Sequence, residues 1–468
     1  MILQDPMRSQ NKVTFFNFLS VILLRGIAIF TAPIFSRLLG SGGYGIVSLY
    51  NTWVSVASVA FSLQAQATLP AARVEFGEEE QDAYQSAATG LAITGFLVIS
   101  ALILLFLQPV SQALGLSSFL ICMILLQAFF DACLLILNQK FVFNYRSDLN
   151  CLTSVLVAVL NLVLSLLMIW LLPKEQNYYG RVLGMVFTYV LMGSAAIFYI
   201  FFQGRTFYSR RYWKFCLPIA IPFIFYNLSD LMLGLGDQVM LQHMVSDSAV
   251  GMYSLAMSFG TIMLTIYGAL NASWMPFFFD DMKCGRRDSV KKQAANYTEI
   301  FTVLSAGFLL LHREVYHIFA GRDFWEGTAC IPAFVAGAYV NFLCTFPINL
   351  ENYHKKTRAV AVVTLVSVLL NVVLNGLMIP AYGMLGAAIA TAIAHLSQFI
   401  MHYIYAKWFL APGDYPFPAK QWILGSTCFL AALLVTGVFS QQWLLRWGLG
   451  ACLGLWELWR LKKRKTIF

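Results

Sequence analysis

Arg25 stands in the middle of FFNFLSVILLRGIAIFTAPIF (15–35), an apolar run long enough to cross a bilayer. An arginine at mid-depth costs several kcal/mol unless it faces protein or water. Such a residue either closes an internal ion pair or receives an anion. Its planar, permanently charged guanidinium suits a phosphate, to which the fork donates two hydrogen bonds. Arg37 follows at the end of the same run, as a second cation or an interfacial anchor. Carboxylates offer the complementary chemistry, because a buried one can carry a proton or Na⁺. Asp230 and Asp237 are one heptad apart, hence on one helix face, and Asp131 stands in another apolar run. His395 either titrates or packs as a hydrogen-bonded imidazole. Gln64, Gln66, Asn161, Asn371 and Asn375 can hydrogen-bond a hydroxyl-bearing ligand or tie helix to helix. Asp131, Asp230, Asp237 and His395 are the ion-coupling candidates.

These residues must be positioned by membrane helices. Of the 468 residues, 59% are hydrophobic and 11% charged, where a soluble chain of this length would be about a quarter charged. The apolar residues fall in blocks of helical-span length, and no short alternating segments of a barrel occur. Fourteen spans are expected, near 13–35, 44–68, 84–108, 116–138, 150–172, 179–203, 218–242, 250–275, 297–320, 328–349, 358–380, 384–406, 420–438 and 441–460. The last pair is the least regular, with a short hairpin and Arg446 inside it. The first run is too long for a signal-peptide core and reads as an uncleaved helix. With both termini cytoplasmic, most of the 31 basic residues fall on inner segments, the densest being 205–214, 283–292, 355–358 and 460–465. Arg37, Lys174, Arg181, Arg313 and Arg322 are left outside. The net charge of +9 therefore reads as topology and contact with anionic lipid, not nucleic-acid binding. EFGEEEQD (75–82) is expected to be solvated, and Glu299 to lie exposed at the inner interface. Nine scattered cysteines form no CxxC pair or Cys/His cluster, so no metal is expected.

The halves repeat. NLVLSLLMI (161–169) and NVVLNGLMI (371–379) agree at six of nine positions, and YGIVSL (44–49) matches VGMYSL (250–255). Tyr179-Gly180 and Tyr382-Gly383 add a third correspondence. Each shift equals six spans, and an even number implies parallel repeats. The expected fold is an all-α polytopic membrane protein of about 14 helices: two pseudo-symmetric six-helix bundles around a central cavity, plus a C-terminal pair. The expected division is 1–203 for the first bundle, 204–217 for a basic linker, 218–406 for the second bundle and 407–468 for the extra pair and basic tail. Aligning 44–49 with 250–255 brings Asp230 opposite position 24, beside Arg25, so these two could pair in an empty site.

Three stretches carry a resemblance: SRLLGSGGYGIVSL (36–49), LPIAIPFIFYNLSDLMLGLGDQVMLQHMVSDSAVGMYSLAMSF (217–259) and ENYHKKTRAVAVVTLVSVLLNVVLNGLMIPAYGMLGAAIATAIAHL (351–396). In this order they resemble the polysaccharide-exporter branch of the multidrug/oligosaccharidyl-lipid/polysaccharide flippase superfamily, over about residues 10–406. The resemblance implies a non-enzymatic flippase in the bacterial cytoplasmic membrane, working by alternating access without a cofactor. It would move undecaprenyl-pyrophosphate-linked oligosaccharide for O-antigen, capsule or exopolysaccharide assembly, alongside membrane lipids, a polysaccharide polymerase and a chain-length regulator. Under it Arg25, Arg37, Gln64, Gln66, Asn161 and Asn371 would contact substrate, and coupling to H⁺ or Na⁺ would fall to the carboxylates. A lipid II flippase, a drug/cation antiporter and a membrane-embedded polymerase are the alternatives. The mid-depth arginine weighs against the antiporter, and the short outer loops and lack of DxD weigh against the polymerase. No GxxxxGK[ST] is present.

Overall fold

In the computed structural model of the chain, residues 6–464 are described, apart from residues 145, 355 and 418 and a number of helical side chains, those of Arg25 and Asp230 among them. The described residues hold helices and no strand. They form two compact units, dividing between Val239 and Met240. The first holds α1 (Pro6–Ser62), α2 (Leu69–Glu75), α3 (Gln81–Leu105), α4 (Leu107–Leu114), α5 (Ser118–Phe143), α6 (Ser147–Leu171), α7 (Asn177–Gly204) and most of α8 (Arg210–Met244). The second holds α9 (Asp247–Lys283), α10 (Arg287–Phe319), α11 (Ile331–Tyr353), α12 (Thr357–Ile404), α13 (Ala419–Val438) and α14 (Trp443–Arg464).

Every expected span is covered by helix, but two expected pairs follow one another across a glycine kink with no loop between them. Spans 1 and 2 form α1 through Gly40 (φ 65°, ψ 174°), and spans 11 and 12 form α12 through Gly383 (φ 56°, ψ −136°). A side chain rarely tolerates such dihedrals, so glycine at these two points turns the chain without an intervening loop. Nine helices among the described residues are long and apolar enough to cross a membrane, or ten when the bent pair Phe30–Ser62 and Ala65–Arg73 is taken as one. Elsewhere caps set the boundaries. Ser117 accepts from the Leu120 N–H and Ser246 from that of Ala249, which supplies an acceptor for an otherwise orphaned first-turn donor.

Polarity runs opposite to that of a soluble protein. Gln85, Ser86 and Thr89 of α3 are buried, while Leu97, Val98, Leu102 and Leu105 of the same helix are exposed. On α12, Val362, Leu365, Leu369, Val373 and Leu377 form an exposed stripe at helical spacing. Apolar outward faces of this kind are matched to lipid, and the chain is a multi-pass membrane protein.

Within the first unit α6 and α7 approach closely at Gly184, where a Cβ would lie 2.3 Å from Ser165 Cα. Small residues allow such approach, which strengthens dispersion contacts between helices in lipid. The acidic segment 75–82 is docked at two points. Glu80 pairs with Arg211 at 3.1 Å and accepts from the Tyr212 hydroxyl at 3.0 Å, and Asp82 pairs with the buried Lys140 at 2.6 Å. Basic helix ends gathered at this face supply partners that local composition does not show.

The second unit has an aromatic core. Trp274, Phe278, Phe346, Phe417 and Trp422 form one chain of ring contacts, and Tyr339 stacks on Phe429 at 4.4 Å. The irregular last pair packs on α10. Arg446 is fully buried there, donating to the Leu310 carbonyl at 3.0 Å and pairing with Glu314. Glu299 is not simply exposed: it is half-buried and pairs with Arg460 at 2.6 Å.

Candidate functional site

Two polar clusters occupy the interior of the first unit. The cluster nearer the start of α7 centres on Arg181. It lies one turn into the helix, about 6 Å along it at 1.5 Å per residue. Its guanidinium donates to the backbone carbonyl and Oδ1 of Asn161 and to the Ser165 hydroxyl, all on α6. Its face lies over the Phe35 ring at 3.9 Å. Asn161 in turn sits one helical turn from Ser165, the residue that Gly184 lets α7 approach. The close approach at Gly184 thereby sets the Asn161 and Ser165 acceptors against the arginine.

Arg181 has no carboxylate partner among the described residues. This sets it apart from Lys140 and Arg446, each of which holds an acid. A half-buried guanidinium oriented by neutral acceptors keeps its full positive charge and its remaining donors for a ligand. That is the arrangement an anion needs: orientation from the protein, charge uncompensated until it binds. Reading Arg181 as an outer-segment residue missed this. The available signal was its position 20 residues after Asn161, which the repeat duplicates. In the second half Asn371 donates to Thr391 at 3.1 Å across the same 20-residue separation, and Asn375 donates to Asn371 at 3.2 Å. Asn161, Ser165 and Arg181 thus correspond to Asn371, Asn375 and Thr391. Asn161 orients a cation, whereas Asn371 and Asn375, both buried, bond between and along helices.

The second cluster surrounds a break. After Ser62 the helix stops, with Leu63 (φ 46°) and Gln64 (φ 53°) both left-handed although neither is glycine. Each such residue costs of order 1–3 kcal/mol and persists only where its surroundings over-determine it. Here they do. Gln64 is buried, its N–H donates to Ser62 Oγ at 3.2 Å, and its Oε1 accepts from Asn227 at 3.2 Å and Gln66 at 3.1 Å. Gln66 Oε1 is buried without a hydrogen-bond partner. Thr68 and the Tyr84 hydroxyl meet at 2.6 Å just beyond. Gln64 spends its side chain inside the unit, while Gln66 keeps an acceptor free.

The remaining candidates are dispersed. Asp131 on α5 is half-buried beside Ser58 and Tyr189. Asp237 on α8 is buried next to Gln238, whose Oε1 accepts from Thr52 at 3.0 Å. Arg37 is exposed. His395 is half-buried on α12 and packs toward Gly337 of α11. Arg25 and Asp230 are helical, but their side chains lie outside the described residues, and with them the expected pairing of the two. No group of three or more His, Cys, Asp or Glu side chains that could hold a metal ion occurs among the described residues.

Comparison with known proteins places this architecture. The family described as "Polysaccharide biosynthesis protein" matches residues 11–282. No curated protein matches the chain. Among solved structures, the lipid II flippase MurJ in an inward closed conformation superposes with a TM-score of 0.75 at 14% identity, covering 97% of this chain and 100% of that one. An inward-facing multidrug resistance MATE family transporter of the MOP superfamily gives 0.66 at 13%, covering 82% and 93%. A mutant of the Vibrio cholerae MATE transporter VcmN gives 0.55 at 14%, covering 86% and 96%. At these identities the likeness is one of fold.

Proposed function

The chain belongs to the polysaccharide biosynthesis protein family, and from that premise we propose that it is a flippase, not an enzyme, for an oligosaccharide carried on undecaprenyl pyrophosphate. The substrate joins a hydrated, multiply charged head to a very apolar tail, and moving that head unaided through hydrocarbon is prohibitively unfavourable. The observation that carries the reading is Arg181: a cation inside the membrane part of the first unit, aimed by Asn161 and Phe35 and lacking an acid among the described residues. A guanidinium so held replaces water around a phosphate, while Gln66 Oε1 is an acceptor for a sugar hydroxyl. Arg25, on the same unit's first helix, is the second phosphate contact in this scheme, and Asp131 and Asp237 are the carboxylates available for ion coupling. The kink at Gly40 and the break at Leu63–Gln64 supply points about which helices bend during alternating access. The membrane is the bacterial cytoplasmic one, with both termini inside.

Lipid II transport is the second reading, favoured by the superposition on MurJ. Its substrate bears the same anionic anchor, so the two readings share the Arg181 chemistry and differ in the sugar. The test is reconstitution of the full chain in proteoliposomes containing undecaprenyl-pyrophosphate-linked oligosaccharide or lipid II. Transfer of one substrate across the bilayer, read by an impermeant sugar-modifying enzyme, is expected for the first and not the second. Transfer of lipid II alone selects the second reading, and transfer of neither refutes both.

A further inference from the structure

A fully buried carboxyl–imidazole pair lies in the second unit, apart from every residue used so far. His402 of α12 and Glu351 of α11 are both fully buried, and His402 Nδ1 meets Glu351 Oε1 at 2.8 Å. The second polar atom of each, His402 Nε2 and Glu351 Oε2, is buried without a hydrogen-bond partner. Both residues stand within three residues of a helix end. Glu351 is in the last turn of α11, and His402 immediately precedes Tyr405–Leu410, where α12 loosens into a π-helix. π-Turns are rare and concentrate at functional sites. The chain then folds back so that Tyr415 lies near Glu351 and Cys344, with its hydroxyl buried and unpartnered. Ionisable residues close by also include Tyr403, Lys407, which donates to the Tyr403 hydroxyl at 2.9 Å, and Lys356, whose backbone N–H donates to the Glu351 carbonyl at 2.9 Å.

We propose that Glu351 and His402 form a proton-binding site that is loaded when the ends of α11 and α12 are closed and discharged when they open to water. With one shared proton the pair is neutral overall, whether as carboxylate with imidazolium or as carboxylic acid with imidazole. Removing that proton leaves a carboxylate in a fully buried site, where an uncompensated charge is strongly destabilising. Breaking the N–H or O–H bond therefore requires a water molecule to accept the proton and more water to solvate the remaining charge. Proton loss and opening are one event, and the net charge of the pair falls from zero to minus one. The unpartnered Nε2 and Oε2 are where entering water would bond. As the coupling site of a flippase, the pair rests on the function proposed above; as a proton site, it does not.

Hydrogen exchange of the full chain in lipid nanodiscs, followed from acid to alkaline pH, separates these. A one-proton difference between closed and open forms makes opening rise about tenfold per pH unit. After correction for the intrinsic rate, peptides over 345–353 and 398–410 are expected to lose protection with rising pH, and peptides of α6 and α7 are not. Glu351→Gln/His402→Gln, which keeps a neutral hydrogen bond in the same space, is expected to flatten the profile. Glu351→Gln alone leaves a lone imidazole and serves as the intermediate case. A flat profile in the unaltered chain, or an unchanged one in the double variant, overturns the proposal. If the profile behaves as expected but the double variant still translocates lipid-linked sugar with the same pH dependence, the proton site stands and its coupling role falls. If the unaltered chain translocates neither lipid-linked substrate, the proposed function fails while the exchange result is unaffected.

Discussion

Replacing Arg181 by alanine separates a ligand cation from a structural one. In the folded protein it donates to two acceptor atoms of Asn161 and to the Ser165 hydroxyl and stacks on Phe35, with no acid to leave stranded among the described residues. Loss of a cation–π contact and three hydrogen bonds to neutral groups is offset by no longer desolvating a charge. The net stability change is therefore expected within about 1 kcal/mol. Transport is another matter. A charge-assisted contact to phosphate contributes about 1.5–3 kcal/mol, which corresponds to a loss of about 10- to 150-fold. Arg181→Lys keeps the charge but neither the fork nor the stacking, and should fall between. Asn161→Ala frees the guanidinium to reorient and should reduce transport less than Arg181→Ala. The assay is initial translocation rate in proteoliposomes at matched protein density, with thermal unfolding in detergent as the control. A rate within twofold of the unaltered chain for Arg181→Ala refutes the reasoning. So does an unfolding midpoint that falls in step with the rate, since that would make Arg181 a packing residue.

Arg446→Met should destabilise by about 3 kcal/mol, because it strands Glu314 and frees the Leu310 carbonyl; Glu314→Gln/Arg446→Met should recover much of that, and both are read by thermal unfolding. Gly184→Ala places a methyl into the α6 backbone and should cost about 3 kcal/mol, while Gly376→Ala, with open space around it, should be neutral or slightly stabilising. Gly40→Ala should cost about 1–3 kcal/mol through its dihedrals alone, measured as a lowered unfolding midpoint. Cysteines introduced at 42 and 246 should label from outside intact cells and one at 208 only after permeabilisation; the reverse pattern would invert the topology.

The helical, membrane-spanning class and the chain's repeat were legible because both are written in apolar block length and in matched short strings. Helix rotation was not, since neighbouring residues differ by about 100° around the axis. Arg181 follows two aromatic residues at the start of a span, so charge counting assigned it to the surface; only the α6 contact turns it inward. Two left-handed residues at Leu63 and Gln64 leave no trace in composition, because their conformation is imposed by Ser62, Asn227 and Gln66 rather than by their own preference. The segment 75–82 and Glu351 in ENYHKK both look solvated for the same reason: local charge is visible, but a partner 51 or 131 residues away is not. His395 stands in an apolar run that marks it as a candidate, while His402, seven residues on, is the one with a carboxylate.

The duplicated contact between 161 and 181, and between 371 and 391, has a consequence for how such a protein acquires new cargo. A duplication supplies two copies of one helix clasp, and a fold needs both only as clasps. Once Asn371 and Thr391 close theirs with neutral groups, the other copy is free to drift toward charge without endangering assembly. Specialisation then requires a single codon at position 181, and its reversal another. On the function proposed above, a change at position 181 would alter the charge offered to cargo while the clasp of the second half stays as it is.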